Sequence, residues 1–135
     1  MELVFKKLNL KIVKNERAIY SFAELNEFID FEVRRIYFLQ DFHADTGQHC
    51  HKIEKELFIM QCGTCTAIID RGNGKEEILI SGPGDAIYVG AYVWHGFKDI
   101  SPDAVLMALS STNYNPDRSD YVEDYDAYRE MITKL

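Results

Sequence analysis

The most informative stretch of this chain is residues 46–63, TGQHCHKIEKELFIMQCG. Successive side chains of a β-strand point to opposite faces, so His49 and His51 share one face and Cys50 lies on the other. On the next strand Glu56 shares its face with apolar side chains. A carboxylate in such surroundings is costly unless it is paired or bound to a metal. The stretch therefore predicts two strands whose inward faces carry two imidazoles and one carboxylate.

Short β runs separated by Gly, Asn, Asp and Pro continue on both sides of this stretch. They are FEVRRIYFL (31–39), KELFIMQC (55–62), TCTAIID (64–70), EEILI (76–80), DAIYVG (85–90) and AVLMALS (104–110). Strands at this spacing, with no helical pattern between them, indicate a sandwich or barrel. A chain of 135 residues has room for one core, so we expect a single domain over residues 1–135.

The C-terminal segment has a different period. Tyr121, Tyr125, Tyr128 and Ile132 recur at the spacing of one helix face, and Asp120 precedes them as a candidate N-cap. We expect a short C-terminal helix whose tyrosines pack on the β core.

Composition narrows the partners. The formal net charge of -7 argues against nucleic-acid binding, although a few local arginines could still hold a phosphorylated small molecule. We expect a cytoplasmic protein without a membrane partner, because no run reaches the roughly 20 apolar residues of a membrane helix and no signal peptide is recognisable. The three cysteines are expected to be reduced, with Cys62 and Cys65 facing each other across a hairpin turn.

The spacing of the opening stretch resembles the first motif of the cupins, G-x-H-x-H-x4-E-x6-G. Its members are Gly47, His49, His51, Glu56 and Gly63. The later stretch GDAIYVGAYVWH supplies Gly84 and His95 of a second such motif. His43 belongs to no pattern and is expected in a solvated loop.

A more specific resemblance covers nearly the whole chain. TGQHCHK resembles the RGxHAHK signature of nucleotide-sugar 3,4-ketoisomerases, and YVGAYVWH and DYVEDYDAY are similar to that family's YVGPxVWH and DYIRxYDxF. RRIYFL is similar to KRVYYI, and NERAIYSF is a looser match to DxRGxL. The resemblance implies an all-β, cupin-type jelly-roll β-barrel with a short C-terminal helix.

The resemblance also implies an activity. Such enzymes work without metal or other cofactor and move the keto group of a thymidine-diphosphate-linked 4-keto-6-deoxyhexose from C4 to C3, for amino-deoxysugars of surface glycans. The reaction removes a proton from C3, passes through an enediol and returns a proton at C4, so it needs an acid and a base near neutral pH. Imidazole is the side chain suited to that range.

The family's site residues map onto this sequence one by one. His49 and His51 are the expected catalytic pair, and Tyr37 is expected to donate a hydrogen bond to the enediolate oxygen. Arg17 and Arg35 match family arginines, whose guanidinium groups suit a diphosphate. The remaining substrate-binding residues are expected to be Glu56 and His95.

Departures from the family keep alternatives open. Thr46 replaces the arginine of the signature, Ala91 replaces a proline, and Glu56 replaces the usual glutamine. The glutamate restores the metal-binding spacing of other cupins, so one alternative is a metal-dependent enzyme with the ligands His49, His51, Glu56 and His95. A non-catalytic sugar-binding cupin is the other.

We also expect a homodimer. The N-terminal segment LVFKKLNLKIV alternates like a strand and would leave an open sheet edge in a monomer. The resembling enzymes exchange this strand between subunits.

Overall fold

The computed structural model describes residues 1–135 as a mostly β chain with two short helices. The strands are β1 (Phe5–Asn9), β2 (Lys11–Lys14), β3 (Ile19–Phe22), β4 (Arg35–Leu39), β5 (Cys50–His51), β6 (Glu56–Cys62), β7 (Thr64–Asp70), β8 (Lys75–Ser81), β9 (Asp85–Val89), β10 (Trp94–Lys98), β11 (Val105–Ser110) and β12 (Tyr121–Val122). The helices are α1 (Leu25–Phe28) and α2 (Tyr125–Ile132), and neither could cross a membrane. The predicted β class and C-terminal helix are confirmed.

The strands form two larger antiparallel sheets. One has five strands in the order β1-β9-β6-β11-β4, and the other has three in the order β10-β7-β8. Two short pairs, β12 with β5 and β2 with β3, complete the structure. The central strand β6 begins at Glu56, so the carboxylate predicted to face inward lies at the end of the larger sheet.

The main core lies between the two larger sheets. Alternate residues of β6, such as Phe58 and Met60, meet alternate residues of β7, such as Ala67 and Ile69, in one buried cluster. Burial of a side chain such as Phe58 contributes about 1.5–3 kcal/mol to the free energy of unfolding. This alternation orients β4 as well, since Tyr37 packs against the core while Ile36 and Phe38 are exposed on the opposite face.

A second cluster covers the outer face of the larger sheet. Leu57 and Ile59 on β6 pack with Tyr88 on β9, and residues 23–33 lie over them. The Tyr88 hydroxyl donates to Asp30 at 2.6 Å and fixes this cover to the sheet. Both faces of β6 are therefore buried, which explains its nearly continuous apolar sequence.

The helix α2 packs on the β core, as predicted, and its contact there is the buried ring of Trp94. Tyr125 and Tyr128 contact that ring at centroid distances of 5.2 Å each. The N-cap, however, is Asp124, whose side chain accepts from the Ala127 amide at 2.9 Å. The assignment of the cap to Asp120 is wrong.

Asp120 holds a different turn. Its carboxylate accepts from three successive backbone amides at 3.0, 2.8 and 3.0 Å, those of Lys52, Ile53 and Glu54. Tyr121 then follows in β12, opposite His51 on β5, and not on the helix. The predicted helical spacing therefore fails at Tyr121, because the chain first pairs with β5 and begins α2 only at Tyr125.

The predicted hairpin at Gly63 is also wrong. Cys62 pairs with Val105 in the larger sheet, whereas Cys65 pairs with Ile80 in the smaller one. The chain crosses between sheets at Gly63, which has a φ of 81°. All three cysteines are free thiols, as expected.

Candidate active site

Three histidines converge on one cavity. His49 and His95 form a bridge through reciprocal backbone hydrogen bonds of 3.0 and 2.8 Å, and β5 carries the chain on to His51. Cys50, between His49 and His51, points away from the cavity and packs with Trp94 and Tyr128. The alternation read from the sequence is therefore confirmed.

The imidazole rings are in mutual contact. The ring centroid of His49 lies 4.7 Å from those of both His51 and His95, and the latter two are 5.3 Å apart. Tyr121 packs on His49 at 4.8 Å and on His51 at 4.4 Å. The rings line a cavity of about 90 Å³ together with Tyr37, Glu56, Phe58 and Thr46.

Glu56 is the centre of this group and is 1 % exposed. The Tyr37 hydroxyl donates to its Oε2. Its Oε1 lies 3.5 Å from Nδ1 of His51 and 3.7 Å from Nε2 of His95. The carboxylate is thus held by a tyrosine hydrogen bond, and Tyr37 would have to leave Glu56 before it could donate to a substrate oxygen.

The histidines differ in how their rings are held. Nδ1 of His95 lies 3.0 Å from the Val93 carbonyl, an acceptor, so this nitrogen carries the proton. Nε2 of His95 and Nε2 of His51 are buried and make no hydrogen bond. Both rings therefore present a nitrogen that is free to interact with a ligand or a proton.

Burial keeps two of the imidazoles neutral. It lowers the pKa of His49 to about 3, and the nearby His95 and His51 act in the same direction. Burial, followed by the charges of His95 and Arg35, lowers the pKa of His51 to about 3. Burial and the Glu56 carboxylate raise the pKa of Tyr37 above its ordinary value. At neutral pH the free site therefore holds unprotonated imidazoles and a phenol that keeps its proton.

A second buried carboxylate, Glu54, was missed by the sequence reasoning. Its Oε2 accepts from Arg35 Nη2 at 2.6 Å and from the Ser110 hydroxyl, and its Oε1 lies 3.6 Å from Nε2 of His51. Burial and the neighbouring Glu56 raise the pKa of Glu54. Its separation of two residues from Glu56 was the available signal, but Glu54 lies in the turn before β6, where strand alternation does not apply.

The structure separates the two predicted arginines. Arg35 lies beside the cavity, with its guanidinium carbon 5.1 Å from the Tyr37 ring centroid and its Nη2 bound to Glu54. Arg17 lies on the exposed turn between β2 and β3, where its backbone amide donates to Asn15. His43 is exposed, with 87 % of its side chain accessible, as expected for a loop residue.

The same residues could hold a metal ion. His49, His51 and His95 each offer one ring nitrogen within 4.8 Å of the others, and the Glu56 carboxylate adjoins two of these rings. Three imidazoles and a carboxylate suit a divalent transition metal. The geometry is thus compatible with both an acid–base site and a metal site.

Fold and site together define a cupin-like β protein with a histidine-lined cavity. The chain belongs to the family described as "FdtA: WxcM-like, C-terminal", which matches it over residues 4–133. Over 132 residues it is 34% identical to the TDP-4-oxo-6-deoxy-alpha-D-glucose-3,4-oxoisomerase of Aneurinibacillus thermoaerophilus, with 96% of this chain and 94% of that protein covered.

Solved structures agree with the family. The TDP-quinovose 3,4-ketoisomerase WlaRB of Campylobacter jejuni superposes with a TM-score of 0.83 at 30% identity, covering 93% of this chain and 97% of that one. A 3,4-ketoisomerase from Helicobacter canadensis gives a TM-score of 0.85 at 28% identity, covering 97% and 98%. This chain is thus similar to ketoisomerases along nearly their full length.

Proposed function

We propose that this protein is a sugar 3,4-ketoisomerase acting on a TDP-linked 4-keto-6-deoxyhexose. The observation that carries the proposal is the cavity in which two neutral imidazoles, a third histidine, a buried carboxylate and a tyrosine meet. The relatives described above are named for the same reaction, which favours this function over a metal-dependent or non-catalytic cupin.

The reaction is a balanced proton transfer. A base takes the proton from C3, the electrons of that C–H bond form a C3–C4 double bond, and the C4 carbonyl oxygen takes up a proton to give an enediol. The C3 hydroxyl then loses its proton to become the new carbonyl, and carbon C4 gains one. No electrons leave the substrate, so acid–base groups suffice, and a positioned base contributes about 10² to 10⁴ in rate.

His49 is best placed to take the C3 proton. Its ring is half-buried, whereas His51 and His95 are each 3 % exposed, so His49 presents the more accessible nitrogen to a bound sugar. His51 stands against it with Nδ1 toward Glu56, where the carboxylate can stabilise positive charge that develops in the cluster. His95 and Tyr37 complete the wall that would contact the sugar oxygens.

Full substrate binding is proposed to need a second subunit. The strands β2 and β3 pair only with each other and leave Ile19, Tyr20 and Phe22 exposed. A two-stranded hairpin is marginal alone in water, and clustered exposed apolar side chains mark interfaces. We therefore propose a homodimer in which this hairpin lies on the partner and carries Arg17 toward the partner's diphosphate site, while β1 pairs with β9 of its own chain.

We also propose a specific arrangement of the two larger sheets. The packing of the two larger sheets across one core, with the histidine cavity near the start of β6, supports a jelly-roll barrel built as one cupin domain.

Light scattering at micromolar concentration tests the proposed homodimer. A monomer mass would remove both the exchanged hairpin and the shared diphosphate site.

The activity is tested with TDP-4-keto-6-deoxyglucose, with the product identified by proton NMR. We expect conversion to the 3-keto isomer, and severe loss of turnover in His49→Asn and His51→Asn with folding intact. His43→Asn, at an exposed position, is the matched control and should be nearly silent. No conversion by the unaltered protein would refute the function, and near-normal turnover in either site variant would remove that histidine from the proton path.

A further inference from the structure

We propose that Glu54 is a positioning residue for His51 and that Arg35 acts on Glu54 instead of on the substrate diphosphate. The catalytic part of this inference rests on the proposed ketoisomerase function. The structural part concerns only how a buried carboxylate orients a buried imidazole.

Glu54 is held through both its side chain and its backbone. The side chain is 5 % exposed, and one oxygen is bound by Arg35 Nη2 at 2.6 Å and by the Ser110 hydroxyl. The backbone amide of Glu54 donates to Asp120 at 3.0 Å, which anchors the turn that carries it. The second carboxylate oxygen, Oε1, is left to face the ring of His51.

This arrangement places His51 between two carboxylates. Oε1 of Glu54 lies 3.6 Å from Nε2 of the ring, and Oε1 of Glu56 lies 3.5 Å from Nδ1. Water cannot easily substitute for either partner, because His51 is 3 % exposed. A neutral imidazole has one N–H and can turn it toward only one of these carboxylates, so the two carboxylates together limit the orientations of the ring against which His49 packs at 4.7 Å.

Stability does not explain the Arg35–Glu54 pair. Replacement of a buried ion pair by apolar side chains is often neutral or stabilising, because each charge loses its hydration on burial. Nε of Arg35 also stays buried without a partner, so the guanidinium is not optimally paired for stability alone. The carboxylate oxygen that Arg35 leaves free faces His51, so the pair is placed to orient this ring.

His95 provides an internal control. Its ring is oriented by the backbone carbonyl of Val93 at 3.0 Å and makes no contact with Glu54. A change at Glu54 should therefore alter the imidazole signals of His51 and leave those of His95 in place.

The test compares Glu54→Leu and Glu54→Gln with Glu32→Gln, which alters an exposed ion pair with Arg34 of 3.5 Å. We expect Glu54→Leu to lower kcat by about 10- to 100-fold with little change in KM, the size typical of a lost outer carboxylate. The glutamine should recover part of kcat, because its amide oxygen can still accept from Arg35 and Ser110. The Glu32 control should match the unaltered protein.

The spectroscopic readout needs no substrate. In free protein at one fixed pH, nitrogen-15 NMR of the imidazoles should show changed His51 shifts in Glu54→Leu and unchanged His95 shifts. Unchanged His51 shifts with unchanged kcat would overturn the proposal. The proposed function can fail separately, since absence of isomerisation in the unaltered protein leaves the NMR comparison fully interpretable.

A further variant tests the role of Arg35. Arg35→Leu should lower kcat and shift the His51 signals as Glu54→Leu does. A raised KM with kcat and His51 signals unchanged would return Arg35 to the diphosphate and overturn its assignment to Glu54.

Discussion

Replacement of His51 by asparagine should weaken the acid sensitivity of the fold. The pKa of His51 is lowered by burial from 6.5 to about 3 in the native state. The native state therefore binds fewer protons than the unfolded chain between these two values. Because of this difference, the free energy of unfolding contributed by a neutral His51 is complete above pH 6.5 and declines as the pH falls through the window.

The magnitude follows from the width of the window. Each pH unit below the unfolded pKa costs about 1.4 kcal/mol for one proton that only the unfolded state binds. From pH 6.5 to pH 5 the free energy of unfolding falls by about 2 kcal/mol, because His51 stays almost fully neutral in the native state while it becomes protonated in the unfolded chain. Asparagine does not titrate, so this part of the slope should be absent in the variant.

One neighbouring group acts in the opposite direction. The pKa of Glu54 is raised by burial, so the native state binds more protons there than the unfolded chain just above the ordinary glutamate pKa of 4.5. Its contribution declines as the pH rises, which offsets part of the total slope in the unaltered protein. The comparison of His51→Asn with the unaltered protein largely cancels this term, since both retain Glu54.

The assay is urea unfolding at pH 5, 6 and 7, followed by circular dichroism at one protein concentration. The unaltered protein should lose about 2 kcal/mol more than His51→Asn between pH 7 and pH 5. His43→Asn is the control and should follow the unaltered protein. Parallel curves for His51→Asn and the unaltered protein would refute the conclusion that burial keeps this imidazole neutral.

Three further predictions concern Glu56, Tyr37 and the two aspartates near α2. Glu56→Gln should retain substantial turnover and leave the metal content unchanged, because its amide oxygen still accepts from Tyr37; joint loss of turnover and bound metal would make Glu56 a ligand. Tyr37→Phe should lower kcat by about tenfold or more, since Glu56 loses its hydrogen bond; unchanged steady-state kinetics would contradict this. Asp124→Ala should cost about 1 kcal/mol of unfolding free energy through the lost cap. Asp120→Ala should cost more in the same urea experiment, because three amides lose their acceptor, and equal costs would contradict that assignment.

Local periodicity predicted the part of the site that local geometry controls. His49 and His51 share a face because side chains alternate along any strand, whatever the rest of the chain does. The inward position of Glu56 follows in the same way, and the structure places both histidines and the carboxylate in one cavity. Which strands pair was not available from the same signal.

The predictions that failed concern residues whose structural partners lie far away along the chain. Cys62 and Cys65 flank one turn, yet Cys62 pairs with Val105 in the larger sheet and Cys65 pairs with Ile80 in the smaller sheet. Asp120 and Asp124 both have the chemistry of a cap, but Tyr121 and Val122 pair with β5, so α2 begins only at Tyr125 and Asp124 caps it. Glu54 was missed for the same reason, since its partners Arg35 and Ser110 are 19 and 56 residues away along the chain.

The pairing of β12 with β5 has a consequence for the order in which the parts of the site assemble. Tyr121 forms a wall of the cavity against His49 and His51, and Asp120 clamps the turn that carries Glu54. All strands of the two larger sheets are complete by Ser110. The two larger sheets can therefore assemble while the histidine cavity still lacks one side, and the cavity is complete only when residues 120–122 dock against β5.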